Sequence, residues 1–420
     1  MRLDARSFVP PAALAGLGLL LLLQGGPAAA CAPDLPSAVD RALQRGTPVD
    51  PALVAADNGL GFALANRLGA AQPASNLVCS PLSVALALDM AYAGAAGATR
   101  EAMAGALRLG PVAEAPEQAN AALQAQFVPV DPEARLEVAN SLWTRPGVAL
   151  ESFLALNRTY YGAFMGDLAG GADAVNAWAA GQTHGLVPAL LGPDSDLAEC
   201  DLFLANTVCF RGTWAAPFDP ALSAPGRFTR RDGARVPCTF MNRTGLVGYR
   251  ETDGFQAARL DYGSGRYGML LLLPAPGVAL EALAAYLDPD SFKALAGALE
   301  PRAVQLALPR FSCSYSGQLR GPLTDLGMGP AFDPAQADFS AMAAVPQAIL
   351  AVAHTARIAV DERGTLAVAG TGLGMAPTSV LADPRPMVLD RPFLLAITDR
   401  VTGSVLFLGR VLDPSGPSGT

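Results

Sequence analysis

The chain has 420 residues, of which 51% are hydrophobic and 16% are charged. That balance supports a large buried core and argues against a disordered chain. The formal net charge is -8 and the basic residues are scattered, which argues against nucleic acid or an anionic membrane as the main partner.

The first thirty residues have the pattern of a secretion signal. Arg2 and Arg6 precede an apolar run at 12–23, and three alanines follow at 28–30. The run is shorter than the roughly twenty residues that a membrane-spanning helix needs. We therefore expect residues 1–30 to be a signal peptide and the protein to be secreted or extracytoplasmic, without a membrane span. Cys31 leaves open the alternative of a lipid-bearing bacterial lipoprotein.

The rest of the chain predicts one domain. Residues 31–50 are a Pro- and Ala-rich segment, residues 51–414 contain no repeat or long linker, and residues 415–420 are predicted to be a flexible tail. Apolar residues recur with helical spacing at 52–68, 83–93 and 99–107. Strand-like apolar runs follow at 202–210, 269–273, 304–308, 349–352, 358–360 and 405–408. The pattern indicates an α+β fold with a buried central sheet.

The cysteines do not have the spacing of a metal or redox site, since no C-x-x-C pair occurs. They are Cys31, Cys79, Cys200, Cys209, Cys238 and Cys313. Export would permit disulfides, and the sequence does not choose a pairing. Cys79 and Cys209 lie in apolar segments, so we expect both to be buried thiols.

A search for catalytic patterns finds nothing that predicts an enzyme. The only histidines are His184 and His354, and there is no G-x-S-x-G, H-E-x-x-H or phosphate-loop motif. Gly370, Gly372 and Gly374 lack the flanking strand and helix of a nucleotide site. We predict that each histidine is a hydrogen-bonded core residue, and that the chain has no catalytic residue, metal or cofactor. An esterase or protease is therefore disfavoured.

Short motifs of Asn, Trp, Gly and Pro follow one another along the chain. They are 76–83 with Gly94, Gly97 and Thr99; 140–143; Asn176 and Trp178 with Thr183 and Gly185; 206–218; 308–311; 326–328; 337–340; His354; 361–365; 391–393; and 407–410. The most specific is Asn-x-x-x-Phe-Arg-Gly-x-Trp-x-x-x-Phe at 206–218. In this order they resemble the serpin family of serine protease inhibitors.

The resemblance implies a serpin fold and a monomer. Such a fold has a large central β-sheet, two smaller sheets, about eight or nine helices and a long exposed reactive-centre loop. It implies a polar cluster beneath the middle of the main sheet, formed by Ser80, Ser83, Asn206 and His354. It also places Trp214 at the top of that sheet, where the loop enters, and an exposed Arg310–Glu362 ion pair beside the start of the loop.

Residues 364–389 are rich in Gly, Ala, Pro, Thr and Ser, which predicts a long exposed loop. In serpins the first part of this loop, here called the hinge (362–371), inserts into the main sheet after cleavage. The hinge begins with Glu362 and Gly364. The hinge residues that would point inward after insertion are all small: Thr365, Ala367, Ala369 and Thr371. Small residues insert without the cost of overpacking. Leu366 stands where inhibitory members usually carry Glu, and Val368 also faces outward.

The resemblance further implies the position of the reactive bond, the peptide bond that the protease attacks. It lies sixteen residues beyond Glu362 (362 + 16 = 378), between Thr378 and Ser379, with Met375 as the runner-up. A small Thr378 suits a shallow apolar pocket, so we expect an elastase-like or subtilisin-like serine protease as partner and not a trypsin-like one. The implied mechanism is that of a suicide substrate. A non-inhibitory serpin that acts as a carrier or folding helper is the alternative.

Overall fold

The computed structural model describes residues 37–112, 114–128, 131–185, 187–192, 195, 197, 200, 202–365 and 383–415. Most helices lie in the first half of the chain, as the apolar spacing predicts. They are Ser37–Arg45 (α1), Pro51–Ala71 (α2), Pro81–Tyr92 (α3), Gly97–Ala106 (α4), Pro116–Ala125 (α5), Glu151–Tyr161 (α6), Gly171–Gln182 (α7), Leu280–Tyr286 (α8), Pro289–Gly297 (α9), Arg320–Leu323 (α10) and Gly329–Phe332 (α11). Nine of those in the described ranges have seven or more residues, in agreement with the prediction.

Two helices begin with clear sequence signals. The Asp50 side chain accepts a hydrogen bond from the amide of Ala52, and Pro51 is the first residue of α2. The Ser80 hydroxyl caps α3 in the same way, with Pro81 first in that helix. Both pairs combine a capping side chain with a residue whose backbone already has the helical φ angle.

The strands belong to two sheets. They are Leu77–Cys79 (β1), Ala134–Thr144 (β2), Phe164–Asp167 (β3), Leu202–Thr213 (β4), Ala224–Thr229 (β5), Arg235–Glu251 (β6), Phe255–Tyr262 (β7), Tyr267–Pro274 (β8), Glu300–Pro309 (β9), Phe311–Gln318 (β10), Ala353–Val360 (β11), Gly364–Thr365 (β12), Arg385–Val388 (β13), Phe393–Asp399 (β14) and Val405–Val411 (β15). The α+β class is confirmed.

The six-stranded sheet, here called sheet A, has the order β10-β11-β12-β4-β2-β3. The second sheet has nine strands, in the order β1-β15-β14-β8-β7-β6-β9-β13 with β5 on β6. The resemblance implied two smaller sheets, but in the described residues these strands form one continuous nine-stranded sheet. The 17-residue strand β6 joins them, because it pairs with β9 along most of its length and with β7 at its end.

The core lies where the apolar runs predict it. Every residue of β8 is buried, since β7 and β14 flank this strand within the sheet and side chains cover both of its faces. No helix in the described ranges is both long enough and apolar enough to cross a bilayer.

The segment 349–352 was predicted to be a strand, and this prediction is wrong. The amide of Ile349 donates to the carbonyl of Ala331, and the amide of Val352 donates to the Gln318 side chain. Because these groups bond to a helix end and a side chain, no sheet ladder forms there. The strand β11 begins only at Ala353.

The predicted loop 364–389 is too long at both ends. Gly364–Thr365 form β12, and Arg385–Val388 form β13, which pairs in parallel with β9. The side chains of Met387 and Leu389 are fully buried, while Val388 between them is exposed. The two buried side chains anchor this end of the segment to the second sheet. Residues 366–382 lie outside the described ranges.

The Pro- and Ala-rich segment 31–50 contains a helix that the sequence reasoning did not predict. On α1, Ala38, Val39 and Ala42 pack against small alanines of α5. Alanine side chains on both surfaces allow the two helices to approach closely, and the apolar residues of α1 at 38, 39, 42 and 43 do have helical spacing.

Candidate functional site

The hinge already begins inside sheet A. Strand β12 pairs antiparallel with β11, where Val360 faces Thr365, and antiparallel with β4, where Gly212 faces Thr365. In the described part of the chain β11 and β4 share no ladder of their own, so β12 alone connects them. Thr365 is fully buried there. The hinge therefore occupies the first position of an additional central strand.

The fit of β12 depends on backbone proximity and one hydroxyl pair. A Cβ at Gly364 would lie 1.9 Å from the carbonyl oxygen of Gly212, so only glycine fits at this position. The Thr365 hydroxyl lies 2.5 Å from the hydroxyl of Tyr262, which is also fully buried. These contacts hold the hinge between the strands by short-range packing.

Trp214 covers the same place, as the resemblance implied. Its ring stacks on Tyr262 with centroids 4.3 Å apart and 13° between the planes. Its indole N–H donates to the carbonyl of Asp361 at 2.9 Å, and its backbone amide donates to the carbonyl of Arg363 at 2.7 Å. The tryptophan thus fixes the chain just before it enters the sheet.

The Arg310–Glu362 pair was predicted to be exposed, and this is wrong for Glu362, which is only 6% accessible. Its carboxylate accepts from the Arg310 guanidinium at 2.5 and 2.8 Å and from the Ser223 hydroxyl at 2.6 Å. Burial alone would raise the pKa of Glu362, but these hydrogen bonds outweigh it and the pKa is lowered. The turn of the chain shields the Glu362 carboxylate from water, while the Arg310 side chain remains 49% exposed.

The polar cluster lies further along sheet A and connects three strands with α3. The amide of Ser80 donates to Nε2 of His354 at 3.1 Å, and the hydroxyl of Ser83 donates to Oδ1 of Asn206. The Asn206 amide donates to Oδ1 of Asn140 at 2.6 Å, and Asn140 donates to a carbonyl of α6. Such side-chain bonds can break and form again without a change in the backbone ladders.

Burial sets the protonation state of this cluster. Complete burial lowers the pKa of His354 to about 4, so its imidazole is neutral near pH 7 and Nε2 can accept. The Ser80 hydroxyl accepts from the amide of Ser83. These contacts cap a helix and connect it to a strand.

His184 is not the core residue that we predicted. Its side chain is 59% exposed, and Nε2 lies 3.3 Å from the Glu137 carboxylate on β2. The helix α7 has ended at Gln182, and His184 adopts a left-handed φ of 51° in the turn beyond it. The turn directs the side chain into solvent.

The prediction for His354 is confirmed, since it is buried and hydrogen-bonded.

The structure therefore forms two groups from the predicted site residues. Trp214, Arg310, Glu362, Gly364 and Thr365 lie together at one end of β11, and the polar cluster lies near its other end. The remaining predicted residues lie outside the described ranges: Leu366, Ala367, Val368, Ala369, Thr371, Met375, Thr378 and Ser379.

The sequence reasoning missed Tyr262, Ser223 and the part that Asn140 plays. A signal existed for Asn140, because it belongs to the motif 140–143 and directly faces Asn206 in the sheet register. Cys79 and Cys209 are buried thiols, as predicted. No group of three or more His, Cys, Asp or Glu in the described ranges is arranged to hold a metal ion.

A separate cavity of about 460 Å³ lies among α2, α8, β14 and β15. Its lining is mostly apolar and includes Phe62, Leu272 and Phe292. Arg410 also lines it, is only 8% exposed, and donates to backbone carbonyls. No carboxylate of the described residues lies within 4.0 Å of this guanidinium. The cavity thus combines an apolar wall with a buried cation.

The family model described as "Serpin (serine protease inhibitor)" matches residues 55–414 of this chain. The chain belongs to the serpin family. It is 32% identical over 411 residues to putative serpin-Z5 of Oryza sativa, covering 86% of this chain and 90% of that one. Protease inhibition in general is the function that this family supports, and serpins typically inhibit proteases rather than catalyse a reaction.

Solved serpin structures share the fold. The native state of the thermophilic serpin tengpin matches with a TM-score of 0.79 and 26% identity, over 87% of this serpin and 95% of tengpin. Human thyroxine-binding globulin, solved with its hormone, matches with a TM-score of 0.77 and 25% identity, over 87% and 99% of the two chains.

Proposed function

We propose that this serpin inhibits an elastase-like or subtilisin-like serine protease as a suicide substrate. The protease serine attacks the carbonyl of Thr378 and the Thr378–Ser379 bond breaks, which leaves Thr378 as an ester on that serine. The hinge then inserts into sheet A and carries the attached protease away before water hydrolyses the ester. The observation that carries the proposal is the docked hinge, which already pairs with both strands at the entry to sheet A.

The observed register extends naturally into the sheet. Thr365 faces Val360 of β11 and Gly212 of β4. Continued as a regular antiparallel strand, the chain would bring Thr371 opposite both His354 and Asn206. Its hydroxyl would then enter the polar cluster, where it can replace hydrogen bonds that the separating strands lose. The small inward residues between 365 and 371 are consistent with this path.

The direct test is incubation of the full chain with pancreatic elastase and, separately, with subtilisin. The proposal expects a complex that survives denaturing electrophoresis and a released carboxyl-terminal fragment that begins at Ser379 by mass. A fragment that begins at Ala376 would move the bond to Met375. Cleavage without a complex would contradict the inhibitory mechanism while leaving the family unchanged.

A matched pair of variants tests insertion itself. Ala369→Arg would place a long charged side chain on the inward face of the new strand, where it lacks both space and a partner. We expect this variant to be cleaved without forming the stable complex. Val368→Arg changes the neighbouring residue on the outward face and should still form it. Equal behaviour of the two variants would contradict insertion in this register.

The alternative function, a carrier, is favoured by the cavity that Arg410 lines. The Arg410 guanidinium is buried beside apolar walls, and the Arg231–Glu281 ion pair lines the same cavity, so the cavity has an excess of one positive charge and suits a small anion with an apolar body. The similar thyroxine-binding globulin was solved with a hormone, thyroxine. Titration with the fluorescent anion anilinonaphthalene sulfonate tests this function. Two results together would support the carrier over the inhibitor. The wild type would bind the dye tightly and Arg410→Gln would bind it more weakly, and the wild type would form no complex with a protease.

We also propose that the protein acts outside the cytoplasm, since residues 1–30 have the signal pattern. Mass measurement of the mature amino terminus tests this proposal. A start at Cys31 without added mass would support secretion, and a lipid-modified Cys31 would support anchoring. An intact Met1 would contradict export.

A further inference from the structure

Two carboxyl groups lie buried between helices, well away from the hinge. Asp57 on α2 is 6% exposed, and Asp89 on α3 is 1% exposed. Asp89 stands in an otherwise apolar stretch at 84–92, Asp57 stands in one at 53–62 whose only other polar side chain is Asn58, and the two helices pack against each other. Nothing in the hinge or the polar cluster uses these groups, so their burial needs another explanation.

The hydrogen bonds around this pair are incomplete. Asp89 accepts a single hydrogen bond at Oδ2, from the Asn120 side chain at 2.7 Å. Within the described residues Oδ1 of Asp89, Oδ2 of Asp57, Oδ1 of Asn120 and the hydroxyl of Tyr161 are buried without a partner. A buried carboxylate in these surroundings is costly unless a cation or a proton neutralises it.

The surrounding elements do not supply a cation in contact with the pair. Glu117 on α5 adds a further negative charge, and Tyr161 from α6 and Tyr92 on α3 are the other titratable neighbours. Two basic side chains in this region contact other groups: the Arg100 guanidinium is stacked on the Tyr92 ring at 3.9 Å, and the Arg108 side chain packs on Gly59. In the described ranges neither carboxylate has an Arg or Lys nitrogen within 4.0 Å.

We propose that Asp57 and Asp89 form a proton-binding pair that keeps α2 packed on α3 and loosens this contact when it loses its proton. Because Ser80 caps α3 and Ser83 lies in its first turn, the pair also connects the polar cluster to the pH of the surroundings.

The electrostatic surroundings support this assignment. Burial raises the pKa of Asp89 to about 7, although the bond from Asn120 opposes the rise and Glu117 adds to it. Burial, together with the charge of Asp89, also raises the pKa of Asp57 well above its usual value. The two groups titrate as a unit.

The sign of the effect follows from the raised pKa. The stabilising contribution is complete below the unfolded pKa of 3.8 and is lost as the pH rises through about 7. Between about pH 4 and pH 8 the unfolding equilibrium constant should increase by up to about a thousandfold through Asp89. His354 acts in the opposite direction below about pH 6.5, so the contribution is measured as the difference between wild type and variant.

The experiment is urea unfolding of the full chain from about pH 4 to pH 8, with Asp89→Asn as the test variant. Asparagine keeps the shape and cannot ionise, so the difference from wild type should change by up to about a thousandfold. Asp290→Asn, at an exposed position of α9, is the matched control and should track the wild type. A pH-independent difference for Asp89→Asn would overturn the proposal.

A second measurement needs no variant. Infrared spectroscopy of the wild type should show the carbonyl band of a protonated carboxylic acid at mildly acidic pH, and the band should vanish above neutrality. If that band is absent at mildly acidic pH, the proposal fails. If stability instead depends on whether sodium, potassium or calcium is present and not on pH, a cation and not a proton neutralises the pair.

Discussion

Protonation of His354 should weaken the polar cluster in acid. The imidazole accepts the Ser80 amide at Nε2, and a proton on that nitrogen turns an acceptor into a second donor facing an N–H. Burial lowers the pKa of His354 from 6.5 to about 4. Its stabilising contribution is therefore complete above the unfolded pKa and is lost as the pH falls through about 4. A shift of this size corresponds to about 3 kcal/mol of unfolding free energy.

Urea unfolding of the intact chain and of His354→Gln, at about pH 7.5 and at about pH 4.5, measures this effect. The wild type should lose about 3 kcal/mol relative to the variant on acidification, because the variant has no group to titrate there. His184→Gln removes the other, exposed histidine and should behave as the wild type does. Equal acid sensitivity of the wild type and His354→Gln would refute the reasoning.

Three further substitutions test the contacts at the hinge by thermal unfolding of the intact chain. Gly364→Ala forces a methyl group onto a β4 carbonyl and should destabilise by about 1–3 kcal/mol, while Gly105→Ala, with open space around it, should be neutral or stabilising. Arg310→Gln leaves the buried Glu362 without its charged partner and should cost about 2–3 kcal/mol, whereas the same change in a Glu362→Gln background should cost less. Tyr262→Phe leaves the hinge hydroxyl unpaired and should cost about 1–2 kcal/mol, so an unchanged melting temperature would contradict that hydrogen bond.

The sequence predicted best where a signal is local. The helical spacing at 52–68 and 83–93 and the apolar run of strand β8 each depend on a short pattern of neighbouring residues. The position of Trp214 followed from the family resemblance. Tyr262 was missed because its partner Thr365 is 103 residues away, and only the folded sheet brings the two hydroxyls together. The spacing of apolar residues along the sequence does not predict contacts between residues so far apart in the chain.

The wrong predictions have the same origin. The apolar run 349–352 has the composition of a strand, but the backbone partners available to it belong to a helix end and a side chain. Glu362 looks like an ordinary surface acid in sequence, and it is buried because the chain turns over it at the entry to sheet A. Asp57 and Asp89 did offer a signal, since acids inside apolar helical stretches are rarely fully buried without a reason.

The order of strands in the nine-stranded sheet has a consequence for biosynthesis. Strands β14 and β15, near the end of the chain, lie between β1 and β8, which are made much earlier. While the polypeptide leaves the ribosome, β14 and β15 have not yet been made. The backbone edges of β8 and β1 that pair with them therefore remain unpaired. The nine-stranded sheet therefore cannot close until the last part of the chain has been made, so its completion is a late step of folding.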